Sequence, residues 1–326
     1  MSKLTIGIPT YNGSITLNIV LNKINECMSE LNDTIELIVS DNASTDDTRE
    51  ICENFSKHNN NIINFKYLRN PENLGYDANV YNVVEKSTSD YCWLLSDNEI
   101  PNNSEGLQNL ISYLGDKDLD FLFLDYINEI NINKKKRTDD EIFTNADEYF
   151  QKLKFKSGLI SNCVVNVERW KNLNLKKYIG CNWIHFAYQI NALAPNFNKN
   201  CKAVIFYDKI FSSLPRPARW GTKGSFIDTG LQAVKIFNEM YFLGYKKETI
   251  KCAKKVIYGG YPKNLFVAKL QGYNFSHEKL NEMKSLYKEF SSFNFYSILI
   301  KLPKIILRVF MICQRSCNKL IRIIKQ

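Results

Sequence analysis

The chain has 326 residues, of which 44% are hydrophobic and 24% charged. That usage excludes a wholly disordered chain and allows one large domain or two smaller ones. The formal charge of +9 is unevenly placed: residues 291–326 carry seven cations and no acid, which leaves residues 1–290 at +2.

No run of about 18 uncharged apolar residues occurs, which argues against a polytopic membrane protein, and the start, MSKLTIGIPTYNG, lacks the apolar core of a signal peptide. The nine cysteines are scattered without a CxxC, as expected of reduced thiols in a cytosolic protein. None of the three histidines lies near paired cysteines, so no zinc site is expected.

In chain order, Leu4–Pro9 reads as a strand and Tyr11-Asn12-Gly13 as a turn. Ser14 can then cap a helix that places Leu17, Val20, Leu21, Ile24 and Cys27 on one face. Ile35–Val39 is a second strand and ends in the polar run Asp41–Asp46. Phe65–Leu68 is a third, followed by the turn-rich Asn70–Gly75 and a helix from about Asp77 to Glu85. Tyr91–Leu95 is a fourth and stops at Ser96-Asp97-Asn98-Glu99; Phe121–Leu124 is a fifth. Such alternation predicts βαβ units and a mostly parallel, buried sheet. Ligands bind at the carboxyl ends of such strands, where the polar loops after strands one, two and four would gather.

Beyond Asn128 the pattern loosens. Residues 131–140 read as a solvated loop, Asn145–Glu148 as a helix start and Gly158–Val167 as strand-like. Trp183–Leu193 suits a helix, Val204–Phe211 a strand and Phe226–Glu289 a mainly helical region. The expected division is an α/β part in two halves (1–125 and 126–225), a helical region (226–290) and a basic amphipathic tail (291–326).

Three constellations carry chemistry. Pro9-Thr10-Tyr11-Asn12 and Asp41–Asp46 offer a ring face for stacking and a carboxylate for a ribose hydroxyl or a base N–H. Equally, Asp46 can simply cap a helix. Asp97 and Glu99, two residues apart, can bind a hard divalent cation (Mn2+ or Mg2+) that bridges a diphosphate; an acidic turn is the plainer alternative. Arg216 and Arg219, in a Pro-bounded loop with Trp220, either clamp a departing diphosphate or form a solvated loop. The tail alternates apolar and cationic residues, which fits docking on an anionic membrane surface. A helix packed on the body is the alternative. The tail lacks an RNA-binding signature, so nucleic acid is not an expected partner.

Taken together, four segments resemble the family-two glycosyltransferases of the GT-A fold. They are Ile6–Asn12, Leu37–Asp46, Arg69–Gly75 with Asn79, and Trp93–Glu99. Within that family the likeness is to abequosyltransferase-like enzymes of bacterial O-antigen and capsule assembly. The resemblance implies an α/β, Rossmann-like GT-A fold with a helical C-terminal extension. It also implies inverting transfer of one sugar from a nucleotide-diphosphate sugar to a surface glycan acceptor; the docked tail fits an acceptor carried on a membrane lipid, reached at the inner face of the cytoplasmic membrane.

By the same resemblance, Pro9, Thr10, Tyr11 and Asn12 line the nucleotide pocket. Asp41 contacts the base with Ser44 nearby, and Asn73 and Gly75 approach the donor. Asp97 and Glu99 stand in the DxD place, with Glu for the usual last Asp. The family's acidic general base belongs where Gly180–Phe186 stands, a segment with no acid. There His185 is the titratable candidate, as an unperturbed imidazole matched to neutral pH. It can instead contact the acceptor, ligate a metal or pack among Trp183, Phe186 and Tyr188; Asp208 is a further candidate. The rival reading is a non-catalytic nucleotide- or glycan-binding or scaffold domain. A sugar nucleotidyltransferase is disfavoured, because only Gly7 and Gly13 precede residue 75.

Overall fold

The computed structural model describes residues 2–59, 64–115, 117–125, 140–155, 158–215 and 225–309. Two compact units result: residues 1–216 with 240–246, and residues 217–239 with 247–326. The return segment Met240–Lys246 thus belongs to the first unit.

The first unit runs β1 (Leu4–Thr10), α1 (Ser14–Ser29), β2 (Glu36–Asp41), α2 (Thr48–His58), β3 (Asn64–Arg69), α3 (Tyr76–Glu85), β4 (Tyr91–Leu94), β5 (Glu99–Pro101), α4 (Ser104–Leu114), β6 (Phe121–Leu124), β7 (Glu141–Phe143), α5 (Ala146–Leu153), β8 (Cys163–Asn166), α6 (Val167–Asn172), α7 (Ile184–Ala192), β9 (Ala203–Phe206) and β10 (Phe211–Ser213). The main sheet has the order β3-β2-β1-β4-β8-β6-β9-β7. The pairs β3–β2, β2–β1, β1–β4 and β6–β9 are parallel, while β8 is antiparallel to both β4 and β6. Two reversals about β8 restore the direction, so six of the eight strands point the same way. The single strand expected over Val204–Phe211 is two: β9 in the main sheet, and β10 paired with β5.

The inner strands β2, β4, β6 and β9 are buried throughout, as a parallel sheet covered by helices requires, whereas the edge strands β3 and β7 are only partly buried. Helix α1 shows what holds the layers. Leu17, Val20, Leu21, Ile24 and Cys27 form its buried stripe, yet it has no side-chain cap. A cap contributes about 1 kcal/mol, whereas each buried Leu, Val or Ile contributes about 1.5–3 kcal/mol, so packing dominates. The expected cap, Ser14, is instead the first helical residue, and Asp46 accepts its N–H at 3.0 Å.

At the other end of the sheet, fully buried Glu36 opens β2. It takes hydrogen bonds from Thr5 (2.5 Å) and Thr88 and an ion pair from Lys66 (2.5 Å). Burial works to raise its pKa, but these bonds together prevail and hold it below the usual carboxylate range.

The second unit contains α8 (Ser225–Glu239), α9 (Lys247–Leu270), α10 (His277–Leu286) and α11 (Ser292–Leu299), followed by a helical stretch over residues 304–309. Tyr258, Tyr287, Phe290 and Phe293 pack ring on ring within it. The buried Lys254 pairs with Glu289 at 2.7 Å. Among the described residues no helix is long and apolar enough to cross a membrane.

Candidate active site

Because β1 to β4 run the same way, Thr10, Asp41, Arg69 and the Ser96–Glu99 turn emerge at one edge. The ladder continues a step past the strands: Asn42 N–H donates to the Thr10 carbonyl, Asn70 N–H to that of Asp41 and Leu95 N–H to that of Gly7, each at 2.9 Å. Gly7 faces β4 and Thr10 faces β2, so Pro9, two residues after Gly7, faces the β4 side. There β4 has already ended, and the missing proline N–H breaks no ladder bond.

Two turns clasp each other at this edge. Asn12 (φ 49°) and Ala43 (φ 61°) both adopt the left-handed conformation. Asn12 N–H donates to Ser44 Oγ, and Thr45 N–H donates to Asn12 Oδ1, both at 2.8 Å. Tyr11, next to Asn12 in the first of these turns, is 41% exposed. Asp46 accepts from the Thr48 N–H and hydroxyl and thus also serves the start of α2.

Asp41, which the resemblance assigns to the base, stands at the end of β2. Its side chain is fully buried. Oδ1 accepts the Ser44 N–H at 2.8 Å, and Oδ2 accepts from Tyr67 at 2.7 Å and Arg69 at 2.5 Å. The carboxylate braces β2, β3 and the loop. Burial first, and then the bond to Asp41, push the Tyr67 phenol up to about 12.

Beside it runs a ladder of amides. Asn42 Nδ2 donates to Asn73 Oδ1 (2.8 Å) and to the Gly75 carbonyl (3.2 Å), and Asn42 Oδ1 accepts from the Leu74 N–H and from Asn70. Asn79 Oδ1 accepts from Ser40 and Asn70, and its Nδ2 donates to the carbonyls of Ser40 and Thr10. Asn73 therefore shapes the loop with its side chain, and Gly75 bends it at φ 83°.

Asp97 and Glu99 are both buried. Asp97 Oδ2 accepts from Thr10 Oγ1 at 2.7 Å. Glu99, on β5, pairs with Ser213 of β10 in backbone register and accepts from its hydroxyl at 3.0 Å through Oε1. Burial first, and the charge of Asp97 after it, raise the Glu99 pKa, with the Ser161 and Ser213 hydroxyls opposing. Its Oε2 is buried and accepts no hydrogen bond. Two neighbouring carboxylates with an orphaned oxygen make a donor set that fits a hard cation. Among the described residues no third His, Cys, Asp or Glu joins a metal-holding cluster, so the remaining ligands would come from a bound diphosphate or water.

His185, the second residue of α7, is not an unperturbed imidazole. It is buried, its Nδ1 lies 3.3 Å from the Tyr76 hydroxyl, and Trp183 stacks on it at 5.9 Å. Burial lowers its pKa to about 4. It is neutral at physiological pH, and its conjugate acid is a strong one, which makes it a weak general base. Just beside it the side chain of Asp77, which the sequence marks only as a helix start, accepts three backbone N–H groups from Gly180, Asn182 and Ile184. Asp208 accepts from Asn109 of α4 at 2.9 Å. Arg216 and Arg219 lie outside the described residues, as does most of the loop expected over residues 131–140.

A mostly parallel sheet whose polar loops and two buried carboxylates gather at the carboxyl ends of its strands defines an α/β protein with its candidate site at that edge. Residues 5–166 match the family model described as Glycosyl transferase family 2, and the chain belongs to that family, with a GT-A fold. It is 34% identical to abequosyltransferase RfbV of Salmonella typhimurium, over 55% of this chain and 57% of that protein. It is 30% identical to the GalNAc(5)-diNAcBac-PP-undecaprenol beta-1,3-glucosyltransferase of Campylobacter jejuni, over 30% of each. The chain thus spans about half, or less, of the length of these curated relatives. Two solved structures share the fold. S. aureus TarS in complex with UDP-GlcNAc has a TM-score of 0.63 at 12% identity, over 88% of this chain and 81% of that one. Mannosyltransferase PcManGT from Pyrobaculum calidifontis in complex with GDP-Man and Mn2+ has 0.57 at 13%, over 93% and 87%.

Proposed function

We propose that the protein is an inverting glycosyltransferase that moves one sugar from a nucleoside-diphosphate sugar to a bacterial surface glycan acceptor, such as an O-antigen, capsule or lipooligosaccharide precursor. The observation that carries this reading is the buried pair Asp97 and Glu99 at the strand edge, with one Glu99 oxygen accepting no hydrogen bond. Such an arrangement costs free energy unless a cation or a proton offsets it. The names of the abequosyltransferase and the undecaprenol-linked glucosyltransferase support the acceptor class.

In this reading Asp97 and Glu99 hold Mn2+ or Mg2+, which when bound offsets charge on the departing diphosphate. Thr10 fixes the Asp97 carboxylate, and Ser213 fixes that of Glu99. Tyr11 stacks on the base, and the loop Asn73–Gly75 closes on the donor. Trp183 and Tyr76 border the acceptor, and His185 holds a neutral ring there instead of taking the acceptor proton. Arg216 and Arg219 clamp the leaving diphosphate.

The acceptor is read as lipid-linked, with the protein peripheral on the inner face of the cytoplasmic membrane. The described start of the tail supports this. Ile298 (63%), Ile305 (72%) and Val309 (57%) are exposed beside the exposed Lys301, Lys304 and Arg308.

The test is a melting-temperature panel of UDP, GDP, CDP, dTDP and CMP with Mn2+, Mg2+ or EDTA, since a ligand of the folded state raises the melting temperature by mass action. One nucleoside diphosphate that stabilises only with metal is the expected result; no stabilisation by any nucleotide overturns the donor site. A second reading, nucleotide or glycan binding without transfer, is favoured by the depressed pKa of His185 in a segment without an acid. Metal-dependent donor binding with neither hydrolysis nor transfer would select it.

A further inference from the structure

Helix α7 starts without a cap of its own: Trp183 stands at its N-cap and makes no side-chain cap bond. Uncapped N–H groups at a buried helix end are costly. The partner comes from 107 residues earlier. Asp77, 1% exposed, accepts Ile184 N–H through Oδ1 at 3.0 Å, and Asn182 N–H at 2.6 Å and Gly180 N–H at 2.9 Å through Oδ2. Gly180 (φ 97°) and Asn182 (φ 64°) both turn left-handed, which aims three amides at one carboxylate. Asp77 also sits in the first turn of α3, so one negative charge serves two helix N-termini.

The two residues before Asp77 extend the link. Tyr76 reaches His185 on α7. Gly75, immediately before, accepts Asn42 Nδ2 through its carbonyl, and Asn42 also holds Asn73. The loop assigned to the donor and the helix assigned to the acceptor side are therefore joined by three consecutive residues.

We propose that Asp77 is a positioning residue that transmits donor-nucleotide binding at the Asn73–Gly75 loop to the N-terminus of α7. Nucleotide bound against the loop orders residues 73–75, and the carboxylate carries that order into Gly180–His185 before the acceptor arrives. The inference rests on the proposed donor site, and its test separates the two.

The test is hydrogen exchange on the full chain with UDP, GDP, CDP or dTDP, each with Mn2+. The amides of Gly180, Asn182 and Ile184 are themselves the reporters. In the wild-type protein, nucleotide is expected to slow exchange at least tenfold in peptides covering both 70–80 and 178–190. In Asp77→Asn the response at 70–80 persists and that at 178–190 is lost. If Asp77→Asn does not fold, the wild-type measurement and Tyr76→Phe, expected to weaken the second response, carry the test. Protection at 70–80 with none at 178–190 in the wild type overturns the coupling alone, as does an unchanged response in Asp77→Asn. No protection at 70–80 with any nucleotide overturns the donor site and the coupling with it.

Discussion

Gly13 leaves the space that Asp97 occupies: a Cβ on Gly13 would lie 2.3 Å from Asp97 Oδ2 and 2.5 Å from Thr10 Oγ1. The bond between those two side chains therefore depends on a residue that carries none. Gly13→Ala is expected to push the Asp97 carboxylate off Thr10 and lower turnover by at least tenfold. The loss of stability should stay at about 1–3 kcal/mol, the usual cost of overpacking. Kinetics beside a melting curve check this; unchanged turnover would mean that Asp97 need not keep its present position.

Glu99 joins a function to a stability cost. Its pKa is raised in the folded state, so folding holds its proton to higher pH, and the fold loses stability as pH rises through that value. Glu99→Gln removes the cost. The metal-free variant is expected to melt about 2–4 °C higher near neutral pH, while metal-dependent stabilisation by nucleotide is lost and turnover drops by about 100-fold or more. Metal binding to the wild type should weaken on acidification, because protons compete for the same carboxylate. Full turnover in Glu99→Gln with unaltered metal dependence would remove Glu99 from the cation site.

His185 gives the opposite sign. Its folded pKa of about 4 lies below the 6.5 of an unperturbed imidazole. Between those values the unfolded chain holds a proton that the native ring does not, so stability falls as pH drops from about 6.5 toward 4. The ceiling is about 3 kcal/mol. His185→Phe should flatten that part of the stability curve even if it melts lower overall. In turnover, no limb near pH 6.5 should disappear with the histidine; one that does would restore the general-base role.

How far the sequence reached depends on whether a contact is local. Strands β1 to β4, their helices and the polar loops at one edge follow from hydrophobic periodicity, and they are where it puts them. Burial of Asp41 was hidden because it depends on register: Asp41 lies opposite Arg69 in the β2–β3 ladder, and spacing along the chain does not give that pairing. The Asp77 bonds to α7 and the Glu99–Ser213 pair span more than 100 residues and leave no periodic trace. The low pKa of His185 is a property of its burial, which the spacing of residues does not show. Asn42 and Asn70 directly follow β2 and β3 and Asn79 lies on α3, so the sequence signal of the amide ladder is the recurrence of asparagine in these motifs.

Asp41→Asn tests the inward bracing directly. It leaves the Arg69 guanidinium, 29% exposed, without its buried partner. Because Arg69 can turn toward water, the expected cost is about 2–3 kcal/mol, below the 3–5 of a fully buried pair. The Tyr67 phenol, pushed up to about 12 first by burial and then by Asp41, should titrate at lower pH in the variant while staying above an exposed tyrosine. Ultraviolet titration reads this separately from the melting curve. A Tyr67 pKa that does not move would mean that burial alone sets it.

The tail's role rests on a surface that does not suit water alone. In the stretch over residues 304–309 only Leu307 is buried; Ile305, Ile306 and Val309 face out with Lys304 and Arg308, and Lys301 precedes them. No acid follows residue 290 to pair with these cations. Each cation near an anionic bilayer contributes about 1 kcal/mol, so changing Lys301, Lys304 and Arg308 to Gln is expected to weaken binding to phosphatidylglycerol vesicles by about 100-fold. Replacing Ile305 and Val309 by Asn should weaken it further without altering its salt dependence, because insertion and attraction are separate contributions. Sedimentation with phosphatidylglycerol and with phosphatidylcholine vesicles distinguishes them. Equal binding of wild type and both variants would assign this face to packing against protein.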